Sequence, residues 1–550
     1  MTDLDSFSPP VSTGGVEAVP RPASPRWPSA LQLKLQLLWS VVLKGVARFV
    51  FVNGILRPWW FVTGRYPRYT RRGMLAVDNL TTVLRRAGMI TPATRVGAAS
   101  AVPIAPGVTA TVWRVTVHYE PTASTTPSAA TRSPSWPDIP DPHFTSSSAP
   151  PTTFVLKEYN MTLKAMLMGA AMGLPALEVR WLSLLSHPTK GESSTPAYAR
   201  DDQRALGDGL LPLTIDTALS PCRGIACLLL EDLGHLRSHP FRLNAPIPMT
   251  DIEAMFDAVG VLHGRSWNHR RVAAAFRSES RSVAFEDLFI AAFRGIEKLI
   301  ERTSPSSPFQ RLLASIPSLR RAQQRLAAPE GYGSYLTWCM GTRLHATPSE
   351  RVTCFSRPFV LTHGDCRFDN AFLVDIPTHA AASAVPSSDD APRCRARLID
   401  WQAAAVTHPG RDLVWLLQEV PTELVCHSVE GPTGGPTKDS PALDTMLRAY
   451  LRGARRGFAE QQMHTDRFDN DGSHRDDGSP TPHDVNIDVI KREWLPRALA
   501  SSVTLWTVAL RHVIADVADK PNHPSRSGLL RYLGRVEALI EHFGFPESRW

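Results

Sequence analysis

Two short segments in the second half of this 550-residue chain carry residue types suited to phosphoryl transfer. Residues 363–370 read HGDCRFDN, and residues 398–402 read LIDWQ, which places a second aspartate after an apolar run. Moving a phosphoryl group requires an acceptor hydroxyl held in line and magnesium held across the phosphates, with little covalent work by the protein. The pattern therefore favours a phosphotransferase that uses ATP and Mg²⁺.

Three side chains would divide that work. Asp365 is expected to orient the acceptor hydroxyl and to take its proton. Asn370 follows in the same loop, so it can turn back and offer an amide oxygen to a metal. Asp400 supplies a hard carboxylate of the kind that magnesium prefers. We therefore expect Asn370 and Asp400 to bind Mg²⁺ beside the phosphates of ATP.

Short apolar runs flank both motifs. Residues 359–361 precede the first motif, residues 371–374 follow it, and residues 395–399 lead into Asp400. Runs of this kind predict buried strands, and catalytic groups often occupy loops that rigid strands hold in place. The low-complexity stretch at 376–394 accounts for the wide separation of the two aspartates.

Seven further strings occur in an order that resembles a known family. They read VDNLTTVLRRAGMI at 77–90, WRVTVHYE at 113–120, FVLKEY at 154–159, LEVRWLSLL at 177–185, LLLEDLG at 228–234, VLHGRSW at 261–267 and GRDL at 410–413. The chain resembles the aminoglycoside phosphotransferase and choline kinase superfamily, and within it the ecdysteroid-kinase-like (CHK kinase-like) family. The resemblance implies an α+β, two-lobed protein-kinase-like fold, with a small β-rich N-lobe, a large helical C-lobe and low-complexity insertions.

Carried over residue by residue, the resemblance implies that Lys157 and Glu178 grip the nucleotide. Lys157 would contact the α- and β-phosphates, and Glu178 on the following helix would pair with it, as a strand-borne lysine and a helix-borne glutamate do in kinases. Glu158 directly follows the lysine, so the sequence leaves a different pairing open.

The same resemblance places the rest of the nucleotide. Backbone groups near Glu231 and Leu233 would hydrogen-bond the adenine, and the backbone of Gly107 would contact phosphate. Residues 97–112, where the phosphate-covering loop is expected, lack a GxGxxG signature, so this is the weakest match to the family pattern.

Three residues of the motifs have implied roles around the catalytic loop. Arg367 would offset charge that develops on the γ-phosphate, although a salt bridge within the loop is an equal alternative. His363 would hydrogen-bond the loop backbone, and Asp412 would support the loop by accepting backbone donors.

Composition suggests how the chain is divided. At 43% hydrophobic residues it can bury large cores. Residues 1–30 are rich in Pro and Ser and are expected to form a disordered tail. The other predicted parts are an apolar and basic helical segment at 31–73, an N-lobe at 74–234 and a C-lobe at 235–550 with an insertion at about 427–486.

The apolar and basic stretch at 31–62 has two interpretations. Its uncharged runs are shorter than the roughly 18 residues that a membrane-spanning helix needs. A helix over about 31–51 would carry a broad apolar face and a basic stripe, with Trp59 and Trp60 at a lipid interface. The alternative is packing on the core or on a partner, so peripheral membrane contact stays open.

Charge and cysteine content bear on partners and location. The net charge of +8 favours anionic ligands such as ATP. Arginines cluster at 65–72 and at 452–456 without a nucleic-acid-binding motif, so no nucleic-acid partner is expected. Seven cysteines without a CxxC pair suggest neither a disulfide framework nor a zinc site. A cytoplasmic protein is expected, with membrane association as the open alternative and the oligomeric state undetermined.

The acceptor is predicted from the late helical pattern after residue 487. In the resembling family such helices wall the acceptor pocket, so Trp494, Trp506 and Leu510 would either touch substrate or pack in the core. Residues 487–550 contain no acidic cluster suited to a polycation, which favours a sterol-like or other apolar alcohol.

Two other functions are alternatives to a small-molecule kinase. A catalytically silent scaffold with the kinase fold is favoured by the Gly-poor loop and disfavoured by the intact Lys157, Asp365 and Asp400. A protein kinase is disfavoured because HGD replaces HRD and because no activation segment ending in APE follows Asp400.

Overall fold

The fold combines helices with antiparallel sheets, so the predicted α+β class is confirmed. The two-lobed kinase-like layout and the domain boundaries stay predictions. The computed structural model describes residues 42–106, 109–121, 150–172, 174–185, 207, 209–220, 222–239, 246–269, 272, 296–328, 331, 335, 358–376, 394–427, 438–465, 481–509, 520 and 526–546.

The part of the chain before residue 240 contains one extended sheet and the helices around it. Its helices are α1 (Lys44–Val50), α2 (Arg57–Thr63), α3 (Arg71–Met74), α4 (Val77–Arg86), α5 (Leu163–Met172) and α6 (Leu174–Leu185). Its strands are β1 (Thr94–Pro106), β2 (Ala110–Pro121), β3 (Thr153–Tyr159), β4 (Thr214–Ser220), β5 (Ile225–Glu231) and the short β6 (Arg237–Ser238). Strands β1 to β5 form one antiparallel sheet in the order β1-β2-β3-β5-β4.

Strand β3 separates two environments because side chains alternate along a strand. Phe154 and Leu156 are buried with Leu80 and Leu84 of α4 on one face of the sheet. Lys157 and Tyr159 extend from the other face, toward α6. The sheet therefore presents a lysine, from its central strand, to the helix that packs against it.

The later part of the chain is mainly helical, with short strands between the helices. Its helices are α7 (Met249–Arg265), α8 (Pro308–Ala314), α9 (Pro317–Ala327), α10 (Gly410–Glu419), α11 (Pro441–Thr465), α12 (Ile487–Val489), α13 (Leu495–Ala509) and α14 (Arg526–Phe543). Its strands are β7 (Val360–Thr362), β8 (Ala371–Asp375), β9 (Cys394–Leu398), β10 (Ala405–Thr407), β11 (Cys426–His427) and β12 (Lys438–Asp439). Strand β7 pairs with β10, and β8 pairs with both β6 and β9.

Glycines allow α7 and α11 to approach closely. Gly260 and Gly264 on α7 face Gly453 and Gly457 on α11, and each glycine lies against backbone atoms of the other helix. A Cβ atom on Gly264 would be 2.0 Å from the carbonyl oxygen of Ala454. Any side chain there would force the helices apart, because backbone atoms cannot move aside as a flexible side chain can.

Helix α11 occupies part of the stretch at about 427–486 that is predicted from its polar composition as an insertion. Residues 441–465 form a 25-residue helix in which Leu443, Met446 and Leu447 are buried. The polar residues of this stretch lie on the opposite face of an amphipathic helix, and the interpretation from composition did not separate the two faces.

In the predicted helical segment at 31–73, helix continues beyond residue 51, where the single helix expected over about 31–51 would end. Residues 31–41 lie outside the described residues, but α1 continues through a π-helical stretch, Phe51–Leu56, into α2, which ends at Gly64 in a left-handed conformation. Pro58 lacks an N–H group and therefore cannot donate to the helix ladder at the point where the π-helical stretch passes into α2. In the described part of the chain, no helix is both long enough and apolar enough to cross a membrane.

Candidate active site

The loop between β7 and β8 contains the HGDCRFDN motif. Its backbone turns sharply at Gly364, which has φ = +80°. A Cβ atom at Gly364 would lie 2.1 Å from the carbonyl oxygen of Ala403, so only glycine fits. The ring nitrogen Nε2 of His363 lies 2.8 Å from the backbone carbonyl oxygen of Ile399. The expected contact of this imidazole with loop backbone is therefore present.

Asp412, in the first turn of α10, holds this loop in place through hydrogen bonds to its backbone. Its carboxylate is fully buried and accepts the backbone N–H groups of His363 at 2.7 Å and Gly364 at 2.9 Å. The same carboxylate lies 3.2 Å from Nε2 of His263, whose other ring nitrogen is 3.2 Å from the Tyr450 hydroxyl. Burial raises the pKa of Asp412, but the hydrogen bonds with His263 and with the Gly364 N–H more than offset this effect. The pKa is therefore below its ordinary value, and the carboxylate stays ionised.

The Asp412 contacts join the loop to the closely packed helix pair. His263 belongs to α7 and Tyr450 belongs to α11, so the glycine-mediated packing of these helices sets the position of the carboxylate. The support expected from Asp412 is present, and it reaches into the helical core.

Asp365 and Asn370 contact each other across the loop. The amide nitrogen Nδ2 of Asn370 donates to the backbone oxygen of Asp365 at 3.0 Å and to its carboxylate Oδ2 at 3.1 Å. Because the nitrogen has two acceptors, the amide orientation is defined and its oxygen is left for another partner. Asn370 can thus orient Asp365 and still offer Oδ1 to a cation.

Arg367 lies between two carboxylates of the loop. Its Nε is 3.3 Å from Oδ1 of Asp365 and 3.5 Å from Oδ1 of Asp369. Burial lowers the pKa of Arg367, but these carboxylates more than offset that effect and raise it. The salt-bridge alternative is therefore present, and the guanidinium is also about a quarter exposed at 28%, which leaves part of it open to solvent.

Asp400 is brought to the same place by strand pairing. Ala371 at the start of β8 lies opposite Leu398 at the end of β9, and the N–H of Ile399 donates to the backbone carbonyl oxygen of Asn370 at 2.9 Å. Asp400 then has left-handed backbone angles, φ = 66° and ψ = 63°, which non-glycine residues adopt rarely and often at functional sites. A hairpin thus closes the sequence gap between Asn370 and Asp400.

Lys157 connects the large sheet to this hairpin. Its Nζ lies 2.8 Å from Glu178 of α6 and 2.6 Å from Oδ1 of Asp400. The Tyr159 hydroxyl also donates to Glu178. The side chain of Glu158, the alternative partner, instead accepts the backbone N–H of Arg71 at 2.9 Å. The lysine therefore pairs with Glu178, as the resemblance implied, and additionally with the proposed metal ligand.

Opposite charges in this network hold each other ionised. Burial lowers the pKa of Lys157, but Glu178 and Asp400 raise it above its ordinary value. Burial raises the pKa of Asp400, but Lys157 lowers it below its ordinary value. Burial, and to a lesser extent the charge of Glu178, raises the pKa of Tyr159, so its hydroxyl stays neutral and donates a hydrogen bond.

The remaining predicted nucleotide residues lie at the edges of this network. Glu231, at the end of β5, receives a double hydrogen bond from Arg397 of β9 at 2.9 and 2.7 Å, and Leu233 is buried. The Glu231 side chain is thus a link to β9, and any contact with adenine would involve backbone. Gly107 lies outside the described residues. Nearby, Thr109 Oγ1 donates to Gln402 Oε1 at 3.4 Å, which brings the β1–β2 turn to the Asp400 loop.

Sequence reasoning missed Glu419 at the end of α10. Burial and the neighbouring Asp369 raise the pKa of Glu419 to about 8, and Arg367 acts in the opposite direction. Its Oε1 is buried and has no hydrogen-bond partner among the described residues. Glu419 follows Asp412 by seven residues, about two helical turns, so both face the loop. That spacing was the signal available in the sequence.

The donor set near the loop suits one hard cation. The described ranges contain no group of three or more His, Cys, Asp or Glu residues placed to hold a metal. Asn370 Oδ1 and the ionised Asp400 nevertheless fit Mg²⁺, which is commonly bound through one or two protein oxygens together with waters and substrate phosphates.

Comparisons with known proteins add little. No family model matches the chain, and no curated protein matches it significantly. One matching solved structure is a candidate aminoglycoside phosphotransferase from Ralstonia eutropha JMP134, at 11% identity and a TM-score of 0.34, covering 84% of this chain and 98% of that one. Another is the macrolide 2′-phosphotransferase MphH from Brachybacterium faecium, at 13% identity and a TM-score of 0.27, covering 86% and 99%. Similarities at these TM-scores establish no common fold.

Proposed function

We propose that this chain is an ATP- and Mg²⁺-dependent phosphotransferase that phosphorylates a hydroxyl group of a small molecule. The observation that carries this function is the position of Lys157, whose buried ammonium bonds Glu178 and Asp400 at once. A strand, a helix and a loop thereby supply one connected set of charges, and strand pairing brings this set beside the β7–β8 loop that contains Asp365 and Asn370. Phosphoryl transfer needs this combination of a fixed cation, metal-binding oxygens and a carboxylate base.

Each residue has a role that follows from its contacts. Asp365, oriented by the Asn370 amide, would accept the proton of the acceptor hydroxyl. Lys157, held by Glu178, would contact the α- and β-phosphates. Arg367 would offset charge on the transferred group, and its loop salt bridges would hold it ready for that.

Asn370 and Asp400 would hold the metal ion. When bound, Mg²⁺ would neutralise charge on the phosphates of ATP. The roles of Glu231 and Leu233 in adenine binding, and of Gly107 in phosphate binding, belong to the same proposal and rest on the sequence resemblance.

The charged groups beside Asp365 add no support for the sterol-like alcohol expected from sequence. Charged groups surround Asp365, among them Arg367, Asp369 and Glu419. Trp494 and Trp506, which were candidates for an apolar wall, are buried in the core. Leu510 lies outside the described residues. We therefore restrict the proposed acceptor to a small molecule with a hydroxyl group and leave its apolar character to experiment.

A thermal-shift titration tests nucleotide binding first. ATP with Mg²⁺ is expected to raise the melting temperature, because a ligand that binds only the folded chain stabilises it. Asp400→Asn should lose most of the Mg²⁺-dependent part. Asp375→Asn is the matched control, because it makes the same chemical change at the far end of β8, where Asp375 accepts a hydrogen bond from Arg237. Equal shifts in both variants would contradict the assignment of Asp400.

Transfer is tested separately by ADP formation with a panel of polar, cationic and apolar alcohols. Asp365→Asn should keep the Mg²⁺–ATP shift and reduce turnover by about a hundredfold or more, since it removes the base and not the nucleotide grip. If the wild-type chain gives no shift with ATP and Mg²⁺, the catalytically silent scaffold becomes the better interpretation.

A further inference from the structure

The helical segment at residues 42–63 has one face fixed to the rest of the protein. Val52 and Trp60 are buried in a small cluster with Met166 of α5 and Ile225 of β5. The Asn53 amide donates to the carbonyl oxygen of Met161 at 3.0 Å. These contacts hold the segment along the surface, so its exposed side is a defined feature of the fold.

The opposite face is unusually apolar for a surface. Nine of the fourteen large apolar side chains exposed in the described part of the chain belong to this one segment. Three of them show how complete the exposure is: Trp59 is 62% exposed, Phe61 is 74% exposed and Val62 is 80% exposed. The other six are Val42, Leu43, Val46, Val50, Phe51 and Ile55. A contiguous apolar surface of this kind usually marks an interaction site.

The stretch of sequence that contains this face carries charges of one sign. Residues 18–77 contain no Asp or Glu but ten Lys and Arg, more than the whole chain's net charge of +8. Lys44, Arg57, Arg65 and Arg72 are exposed among them. An anionic surface would be attracted here, whereas a second copy of the same face would bring like charges together.

An open cavity of about 690 Å³ lies where the segment meets β3. Arg57, Phe61 and Arg72 line it, together with Tyr66, whose hydroxyl accepts from Arg72 at 2.6 Å. Glu158 also lines the cavity, but its Oε1 is engaged by the N–H of Arg71. Guanidinium groups at the edge of an apolar face suit a phosphate held at the surface of a lipid layer.

We propose that the exposed face of residues 42–63 docks on an anionic phospholipid bilayer. The apolar side chains would enter the boundary between headgroups and acyl chains, while the surrounding basic side chains contact headgroup phosphates. The segment would lie along the membrane, because its other face is packed on α5 and β5. Of the two tryptophans considered from sequence, only Trp59 is exposed and able to enter lipid, since Trp60 is buried.

Vesicle flotation of the full chain tests this docking. Vesicles of phosphatidylcholine alone are compared with vesicles that also contain phosphatidylserine. An apolar-face variant carries Ile55→Ser, Trp59→Ser and Val62→Ser, and a charge variant carries Lys44→Gln, Arg57→Gln and Arg72→Gln. The control variant, Met463→Ser with Leu530→Ser, removes exposed apolar side chains from α11 and α14.

The wild type and the control should float with phosphatidylserine vesicles and bind neutral vesicles far more weakly. Both other variants should bind at least about tenfold more weakly, and added salt should reduce wild-type binding. Failure to float, or equal binding to neutral vesicles, would overturn the proposal. A vesicle-free dimer that the apolar-face substitutions dissociate, without flotation, would overturn it in favour of self-association.

Membrane docking and phosphotransfer can fail independently. The ATP and Mg²⁺ thermal shift of both surface variants should match that of the wild type, because the charged partners of Lys157 in the described part of the chain are Glu178 and Asp400, and neither variant changes them. Loss of flotation with an intact shift would therefore assign the face to lipid alone.

Discussion

The loop around Asp365 and the segment at 42–63 treat charged and apolar groups in opposite ways. At the loop, Lys157 lies between two carboxylates and Asp412 lies between backbone donors and His263, all within the protein. At the segment, apolar side chains face solvent, and the surrounding sequence supplies only cations. Lys157 and Asp412 thus have their partners within the protein, whereas the segment leaves an apolar surface that an external contact would cover. Substitutions should separate the two regions by their effect on stability.

The largest effect is expected from Asp412→Ala. The substitution removes the acceptor for two loop N–H groups and leaves His263 without its carboxylate in a fully buried site. We expect a loss of about 4 kcal/mol in the free energy of unfolding, measured by urea denaturation, because unpaired buried groups keep their desolvation cost. Asp412→Asn keeps an acceptor oxygen and should cost clearly less. Similar losses for both variants would show that packing, not hydrogen bonding, holds the loop.

Lys157→Met should have the next largest effect. It leaves Glu178 and Asp400 without their shared cation and should cost about 3 kcal/mol near neutral pH. The variant should become more stable as the pH falls from 7 to 5, because protonation relieves an unpaired buried carboxylate. The wild type should lack this additional gain, since its Asp400 pKa is lowered and the stability that Asp400 contributes is lost only below that range.

A double variant sharpens the Lys157 experiment. Glu178→Gln in the Lys157→Met background removes one of the two stranded carboxylates and should recover part of the lost stability. The same substitution alone should destabilise the chain. If it destabilises equally in both backgrounds, the two side chains do not interact energetically and the 2.8 Å contact contributes little.

Glu419→Gln should have a smaller and pH-dependent effect. The pKa of Glu419 is raised to about 8, so the folded chain retains a proton that the unfolded chain releases at lower pH. The contribution of this group is therefore present at acidic pH and is lost as the pH rises from about 5 to 8. Over this pH range, the free energy of unfolding measured by urea denaturation should fall by about 1–2 kcal/mol less in Glu419→Gln than in the wild type. An unchanged pH profile would place the Glu419 carboxylate in contact with water.

Local parts of the site could be predicted from sequence, and its long-range contacts could not. Apolar runs flanking the motifs predicted strands, and β7, β8 and β9 confirm them within a residue or two at each end. A buried strand can be predicted from a short run of apolar residues, because neighbouring positions of the sequence carry the signal. The contact between Lys157 and Asp400 joins residues 243 positions apart and depends on how the sheet, α6 and the hairpin pack together.

Glu419 and α11 show two further reasons. The acidic character of Glu419 is visible in the sequence, but its proximity to Asp369 depends on the docking of α10 against the loop. Residues 441–465 were predicted as insertion from a polar composition, although the close approach of α7 and α11 depends on glycines whose spacing matches across both helices. Composition averages over faces, and tertiary packing distinguishes them.

The smallest effect on stability is expected for the exposed face of residues 42–63. Trp59→Ser and Val62→Ser remove side chains that are mostly in solvent, so each should change the free energy of unfolding by about 0.5 kcal/mol or less. Trp60→Ser is the matched comparison on the buried face and should cost about 3 kcal/mol or more. A substantial loss in the Trp59 or Val62 variants would mean that these side chains are covered in solution, which removes the basis for lipid docking. A negligible loss of stability combined with weaker vesicle binding would show that this face serves an external contact. The charged groups around Asp365 differ in this respect, because their contacts within the protein stabilise the fold itself.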